Sequence, residues 1–197
     1  MWIKICGTTN LEDARLSIEA GANALGFIFS SSPRGVNPET AAQIITQLPP
    51  EIEKIGVFVN TPLESLLEIA RRAGLTGFQL HGDEDPEYVE RLHGAATGLT
   101  VTKALSAAEI KSRYSDAIRM EGLVDRFLLD SGSLERRGGT GVTFDWLRVT
   151  DAVLRLQKVT PMIIAGGLDA DNVAAAISLF HPFGVDAVSG VEREKGK

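Results

Sequence analysis

Eight short apolar runs divide this chain at near-regular intervals, and that rhythm restricts the fold more than any other feature. The runs cover residues 2–5, 24–29, 54–59, 77–80, 100–103, 126–129, 161–164 and 184–188. Each is of strand length and bounded by polar or turn-forming residues. Their starts recur roughly every 22 to 35 residues, the span of a strand plus a crossover helix. Between them lie helix signals. Asn37-Pro38, Thr61-Pro62 and Asp85-Pro86 each set a capping side chain before a proline at the first helical position. Ser106 with Glu109 reads as a capping box, and Asn10 and Asp169 read as further caps. Leu63, Leu66, Leu67 and Ala70 share one helical face, and residues 146–156 repeat that spacing.

Strands alternating with helices predict an α/β protein with a parallel sheet. Eight evenly spaced strands favour closure into a single (β/α)8 TIM barrel over an open sheet. The open alternative usually carries a glycine fingerprint after its first strand, and Cys6-Gly7-Thr8-Thr9 is not one. One domain is expected over residues 1–197, with no linker, repeat or low-complexity segment. The last strand has no amphipathic segment after it before Lys197. The barrel is therefore expected to lack its last helix, leaving an apolar groove open beside the first.

Composition narrows the partners. The chain is 44% hydrophobic and 23% charged, in the ordinary range for a domain with a sizeable core. Twenty Lys+Arg face 26 Asp+Glu, a net charge of −6, with no basic run or basic–aromatic interleaving. Nucleic acid is not an expected partner. No apolar stretch reaches the roughly 20 residues that span a bilayer, and no signal-like segment precedes the first strand, so a cytoplasmic protein is expected. A single cysteine excludes an intrachain disulfide and a thiolate zinc cluster. No heptad or self-complementary surface stands out, so a monomer is expected.

In a barrel the chemistry lies at the carboxyl-terminal mouth of the strands. Cys6 ends the first run and Asp130 the sixth, a thiol and a carboxyl suited to taking a proton from one atom and giving it to another. Either has a plainer reading, as a small buried hydrophobe or as a loop-capping carboxylate. Residues 131–142, with four glycines, form a connection or a lid over substrate. Gly166-Gly167 after the seventh run and Ser189-Gly190 after the eighth suit phosphate binding through backbone N–H groups, or simply turns needing positive φ. Arg34, after the second run, is a solvated loop residue or a planar clamp for a carboxylate. His81 borders the mouth after the fourth run. No second ligand stands near it, so no metal is expected.

Read in order, several stretches resemble the phosphoribosylanthranilate isomerase family. They are Lys4-Ile5-Cys6-Gly7, Gly26-Phe27-Ile28-Phe29 with Ser32-Pro33-Arg34, Gly56-Val57-Phe58-Val59-Asn60, and Gln79-Leu80-His81-Gly82. After them come Leu128-Leu129-Asp130-Ser131, Gly138-Gly139-Thr140-Gly141 with Phe144-Asp145-Trp146, Ala165-Gly166-Gly167-Leu168 with Asn172-Val173, and Gly190-Val191-Glu192. The resemblance implies an Amadori rearrangement in tryptophan biosynthesis, without metal or coenzyme, on a small phosphorylated substrate. By the same resemblance Asp130 is the general acid and Cys6 the general base. Arg34 holds the anthranilate carboxylate, the two glycine loops hold the phosphate, and His81 and Asp186 help bind substrate. Asp186 has a second reading, as an inward carboxylate paired with Lys4 or Lys103. The acid must keep its proton near neutral pH, which calls for a raised carboxyl; the base must supply thiolate, which calls for a lowered thiol. One departure stands out: the family has two serines before the glycine after the last strand, and here the first is Val188. The competing readings are a related sugar-phosphate isomerase of histidine biosynthesis and a non-catalytic barrel that binds a phosphorylated ligand.

Overall fold

A computed structural model describes residues 1–131 and 145–194. The lid expected over residues 131–142 falls, apart from Ser131, outside the described residues. Eight parallel strands close on themselves in sequence order: β1 (Trp2–Cys6), β2 (Ala24–Ile28), β3 (Glu53–Phe58), β4 (Gly77–Leu80), β5 (Thr100–Ser106), β6 (Arg126–Asp130), β7 (Met162–Ile164) and β8 (Gly184–Ala187). Among the described residues seven helices alternate with them: α1 (Leu11–Glu19), α2 (Pro38–Ile45), α3 (Leu63–Ala73), α4 (Pro86–Ala95), α5 (Tyr114–Arg119), α6 (Trp146–Leu156) and α7 (Val173–Phe180). The fold is the expected TIM barrel. After β8 the described chain makes a short 3-10 turn, Ser189–Val191. A groove of ≈ 870 Å³ runs beside α1, and Leu16 and Val191 are exposed on it. Among the described residues no helix is long and apolar enough to cross a membrane.

Side chains pack in two layers. The larger lies between strands and helices, where Phe27, Phe58, Phe78, Phe127 and Phe180 are wholly buried. Truncating one such ring to alanine costs about 3–5 kcal/mol. The smaller layer fills part of the barrel interior with Ala104, Leu128, Ile163 and Ala165, against Trp2. At the amino-terminal end Arg126 sits between the rings of Trp2 and Phe183, 4.7 and 5.0 Å from their centroids. Both ends of its guanidinium bond to Glu53.

The caps divide by whether the chain could turn directly into a helix. Asn10, Asn37 and Asp85 each accept a backbone N–H three residues on, as expected. Thr61 does not cap: Pro62 is extended (φ −54°, ψ 140°), so α3 begins at Leu63 without a side-chain cap. Ser106 accepts the N–H of Ala108 in a tight turn, and α5 starts only at Tyr114. Asp169 accepts from Asp171 and Asn172, a turn ahead of α7. At Ser106 and Asp169 a local side-chain bond competes successfully with the first helical turn.

Candidate active site

Strand parity aims the chemistry. On β1 Lys4 and Cys6 share a face, and β8 is registered so that Asp186 stands beside Lys4. All three are buried. Lys4 Nζ donates to Asp186 Oδ1 at 3.0 Å. Of the two partners open to Asp186 inside the barrel, Lys4 is the one it takes. Lys103 pairs instead with Glu84 at 3.0 Å and donates to the carbonyls of Leu80 and Gly82.

Burial pulls the Lys4 ammonium down, but Asp186 and Cys6 together more than offset that, and it stays above its usual value. Burial likewise pushes the Cys6 thiol up, with Lys4 pulling against it. The lowered thiol expected from its role is therefore not what the fold produces. A fully enclosed sulfur loses more hydration than one ammonium shared with a carboxylate restores.

Across the cavity stand Gln79 on β4, His81 just beyond the end of that strand, and Asp130 at the end of β6. Gln79 Nε2 donates to His81 Nδ1 at 3.0 Å, and His81 Nε2 lies 3.1 Å from Asp130 Oδ2. Ser131 Oγ donates to Asp130 Oδ1 at 3.4 Å. Asp130 is thus held through side-chain hydrogen bonds from His81 and Ser131.

One cavity of ≈ 480 Å³ gathers these groups, with Cys6, Gln79, His81, Asp130 and Asp186 on its walls. Arg34, Gly166, Gly167 and Ser189 border it as well. Gly190, expected beside them, does not. It packs under Leu168, where a Cβ would overlap the carbonyl oxygen. Gly166 has φ +86°, and a side chain there would also strike Ser131, so glycine brings this loop against β6. At the rim Arg34 is buried, and its Nε and Nη2 each donate to Glu192 at 2.6 Å. Its stem lies over Gly7, where a Cβ would come within 2.8 Å of Arg34 Cδ and the backbone is left-handed (φ +88°). Among the described residues no three His, Cys, Asp or Glu side chains gather as a metal site.

Three contacts at this site went unforeseen. Glu192 and Arg34 lie 158 positions apart, and no local pattern announces their pairing. The Gln79–His81 bond was signalled only by a spacing of two residues across the end of one short strand. Lys4 was read as a partner for Asp186, and its hold on Cys6 shows only once β1 is buried.

The comparisons with known proteins agree with this geometry. The family pattern described as N-(5'phosphoribosyl)anthranilate (PRA) isomerase matches residues 3–197. The N-(5'-phosphoribosyl)anthranilate isomerase of Pelobacter propionicus is 47% identical, over 99% of this chain and 88% of its own. Among solved structures, the phosphoribosyl anthranilate isomerase of Thermotoga maritima superposes with a TM-score of 0.86 at 38% identity, covering 100% of this chain and 92% of the other. A phosphoribosyl anthranilate isomerase in complex with reduced 1-(o-carboxyphenylamino)-1-deoxyribulose 5-phosphate gives 0.84 at 35% identity, covering 100% and 91%. With the pattern matched from the first strand to the last residue and the barrel shared over its whole length, the chain belongs to the N-(5'-phosphoribosyl)anthranilate isomerase family.

Proposed function

We propose that the cavity carries out the Amadori rearrangement of N-(5-phosphoribosyl)anthranilate to 1-(2-carboxyphenylamino)-1-deoxyribulose 5-phosphate, a step of tryptophan biosynthesis, with Asp130 as general acid and Cys6 as general base. Asp130 gives its proton to the ring oxygen of the ribose. The bond from that oxygen to carbon 1 breaks, and carbon 1 becomes a Schiff base with the anthranilate nitrogen. Cys6, as thiolate, takes the proton from carbon 2. The electron pair released there neutralises the Schiff base and yields an enolamine, which tautomerises to the keto product. Lys4 is the counter-charge for the thiolate, and Asp186 keeps Lys4 beside it. Arg34 holds the anthranilate carboxylate, with Glu192 orienting its guanidinium. The backbone N–H groups around Gly166, Gly167 and Ser189 receive the phosphate, and Gly190 keeps the last loop close to Leu168.

The observation that carries this reading is that Cys6 and Asp130, from strands distant in sequence, share one cavity rimmed by a buried arginine and two glycine loops. Both proton-transfer groups can then reach a single substrate. A cytoplasmic location suits a phosphorylated substrate that cannot cross a bilayer. The test is the fall in phosphoribosylanthranilate fluorescence on adding purified protein, run beside the corresponding substrate of histidine biosynthesis. Turnover of the first alone is expected; turnover of neither, or of the second only, overturns the assignment.

A further inference from the structure

Gln79 is buried and lines the cavity, but the mechanism leaves it without a task. Its amide nitrogen donates to His81 Nδ1. Its oxygen, also buried, has no hydrogen-bond partner among the described residues. The two facts together settle which way a proton must sit on the neighbouring ring. A nitrogen that accepts a hydrogen bond carries no proton, so the neutral ring must carry it on Nε2. Turning the amide over would point Oε1 at an Nδ1–H. It would also move two amide N–H groups to where Oε1 now finds no partner, and buried donors without acceptors are rarer than buried acceptors without donors. The observed orientation is the cheaper one.

His81 Nε2 lies 3.1 Å from Asp130 Oδ2. With the proton on Nε2, Oδ2 is committed as an acceptor at 3.1 Å, whereas the Ser131 hydroxyl 3.4 Å from Oδ1 can rotate its proton away, so a proton carried by Asp130 rides on Oδ1. We propose that Gln79 is a positioning residue: through His81 it confines the transferable proton of Asp130 to one oxygen, Oδ1, and so aims the acid. The inference rests on Asp130 being the acid. Without Gln79 the ring can adopt its other tautomer, take a proton from Oδ2 as an acceptor, and draw the acid away from the substrate. Control of a catalytic tautomer by a neighbouring side chain has large effects on turnover elsewhere.

The direct measurement is a ¹⁵N-edited NMR spectrum of the imidazoles. The chain has three histidines. His93 and His181 lie on the exposed surface, so the double variant His93→Gln/His181→Asn leaves one ring to read. An Nε2–H ring is expected, and an Nδ1–H ring overturns the proposal without any reference to turnover. The functional arm compares kcat, KM and ring tautomer in Gln79→Met and Gln79→Glu. We expect kcat to fall about tenfold or more, part of the roughly 10²–10⁴-fold that a positioned acid supplies, with KM near the parent value and in step with the lost Nε2–H fraction. Loss of kcat with the tautomer unchanged would make Gln79 merely structural, and a changed tautomer at full kcat would sink the coupling. Full turnover in Asp130→Asn would remove the acid itself, and the proton-aiming role with it, even over an Nε2–H ring.

Discussion

The two walls of the cavity prepare the proposed base and the proposed acid by different physics. On the β1–β8 wall a full charge does the preparation: Lys4 Nζ, wholly enclosed, stands between Asp186 and the Cys6 sulfur. On the β4–β6 wall the preparation is dipolar, an amide against an imidazole against a carboxyl, each step about 3 Å. The contrast follows from what each group must do. A base must become an anion inside the barrel, where an uncompensated charge is costly, so it needs a counter-ion within reach. An acid needs its proton in the right place, and direction is what hydrogen bonds supply.

The coarsest way to break the comparison is to remove each end member. Cys6→Ala and Asp130→Asn should each lower kcat by about 10²-fold or more, the scale of a lost acid or base. Steady-state turnover by fluorescence measures both. If one variant keeps near-normal kcat, its wall carries no proton and the two-wall description fails there.

A sharper test separates charge from dipole. Because burial raises the Cys6 thiol, thiolate is scarce near neutrality, and its fraction grows as pH rises. Wherever Asp130 keeps its proton, the kcat/KM profile should therefore climb with pH to beyond the usual thiol range. Lys4 pulls the thiol down, so Lys4→Met should move that limb further up, and each unit of movement lowers the rate at neutral pH about tenfold. Removing Lys4 also strands Asp186, at about 3–5 kcal/mol of stability. Lys4→Met/Asp186→Asn relieves that burden and should keep a base limb displaced upward. Gln79→Met, on the other wall, should leave the base limb where it is. A limb that ignores Lys4 would mean that Cys6 draws its charge compensation from somewhere other than β1.

How much of this was legible beforehand depended on the range of each contact. The strands were readable because each apolar run reports its own burial, and the caps at Asn10, Asn37 and Asp85 were readable because donor and acceptor lie three residues apart. Thr61 and Ser106 carried equally good local signals and failed. Proline geometry overrode the first and a tight turn the second. Cys6, Asp130 and Arg34 were singled out through their places at or after strand ends, together with the family resemblance. What those places could not convey was environment. The upward push on the thiol comes from enclosure by the whole barrel, and the Arg34–Glu192 pair joins loops after β2 and β8 that only closure brings together.

The rim poses the same question of charge against dipole, with a smaller expected answer. Arg34 offers a cation on one side, while the loops after β7 and β8 offer mainly backbone amides. Val188 borders the cavity, and a hydroxyl placed there tests whether side-chain hydroxyls matter. If the amides around Gly166, Gly167 and Ser189 already satisfy the phosphate oxygens, a hydroxyl added by Val188→Ser competes for filled positions. Its net worth is then about 0.5 kcal/mol, at the foot of the range for hydrogen bonds, and KM for phosphoribosylanthranilate should change by less than about twofold with kcat unmoved. A tenfold drop in KM, about 1.4 kcal/mol, would mean that the rim had lacked a donor. Phosphate binding would then rest on side chains as much as on the glycine loops, and the β7–β8 rim would no longer be the dipolar counterpart of Arg34.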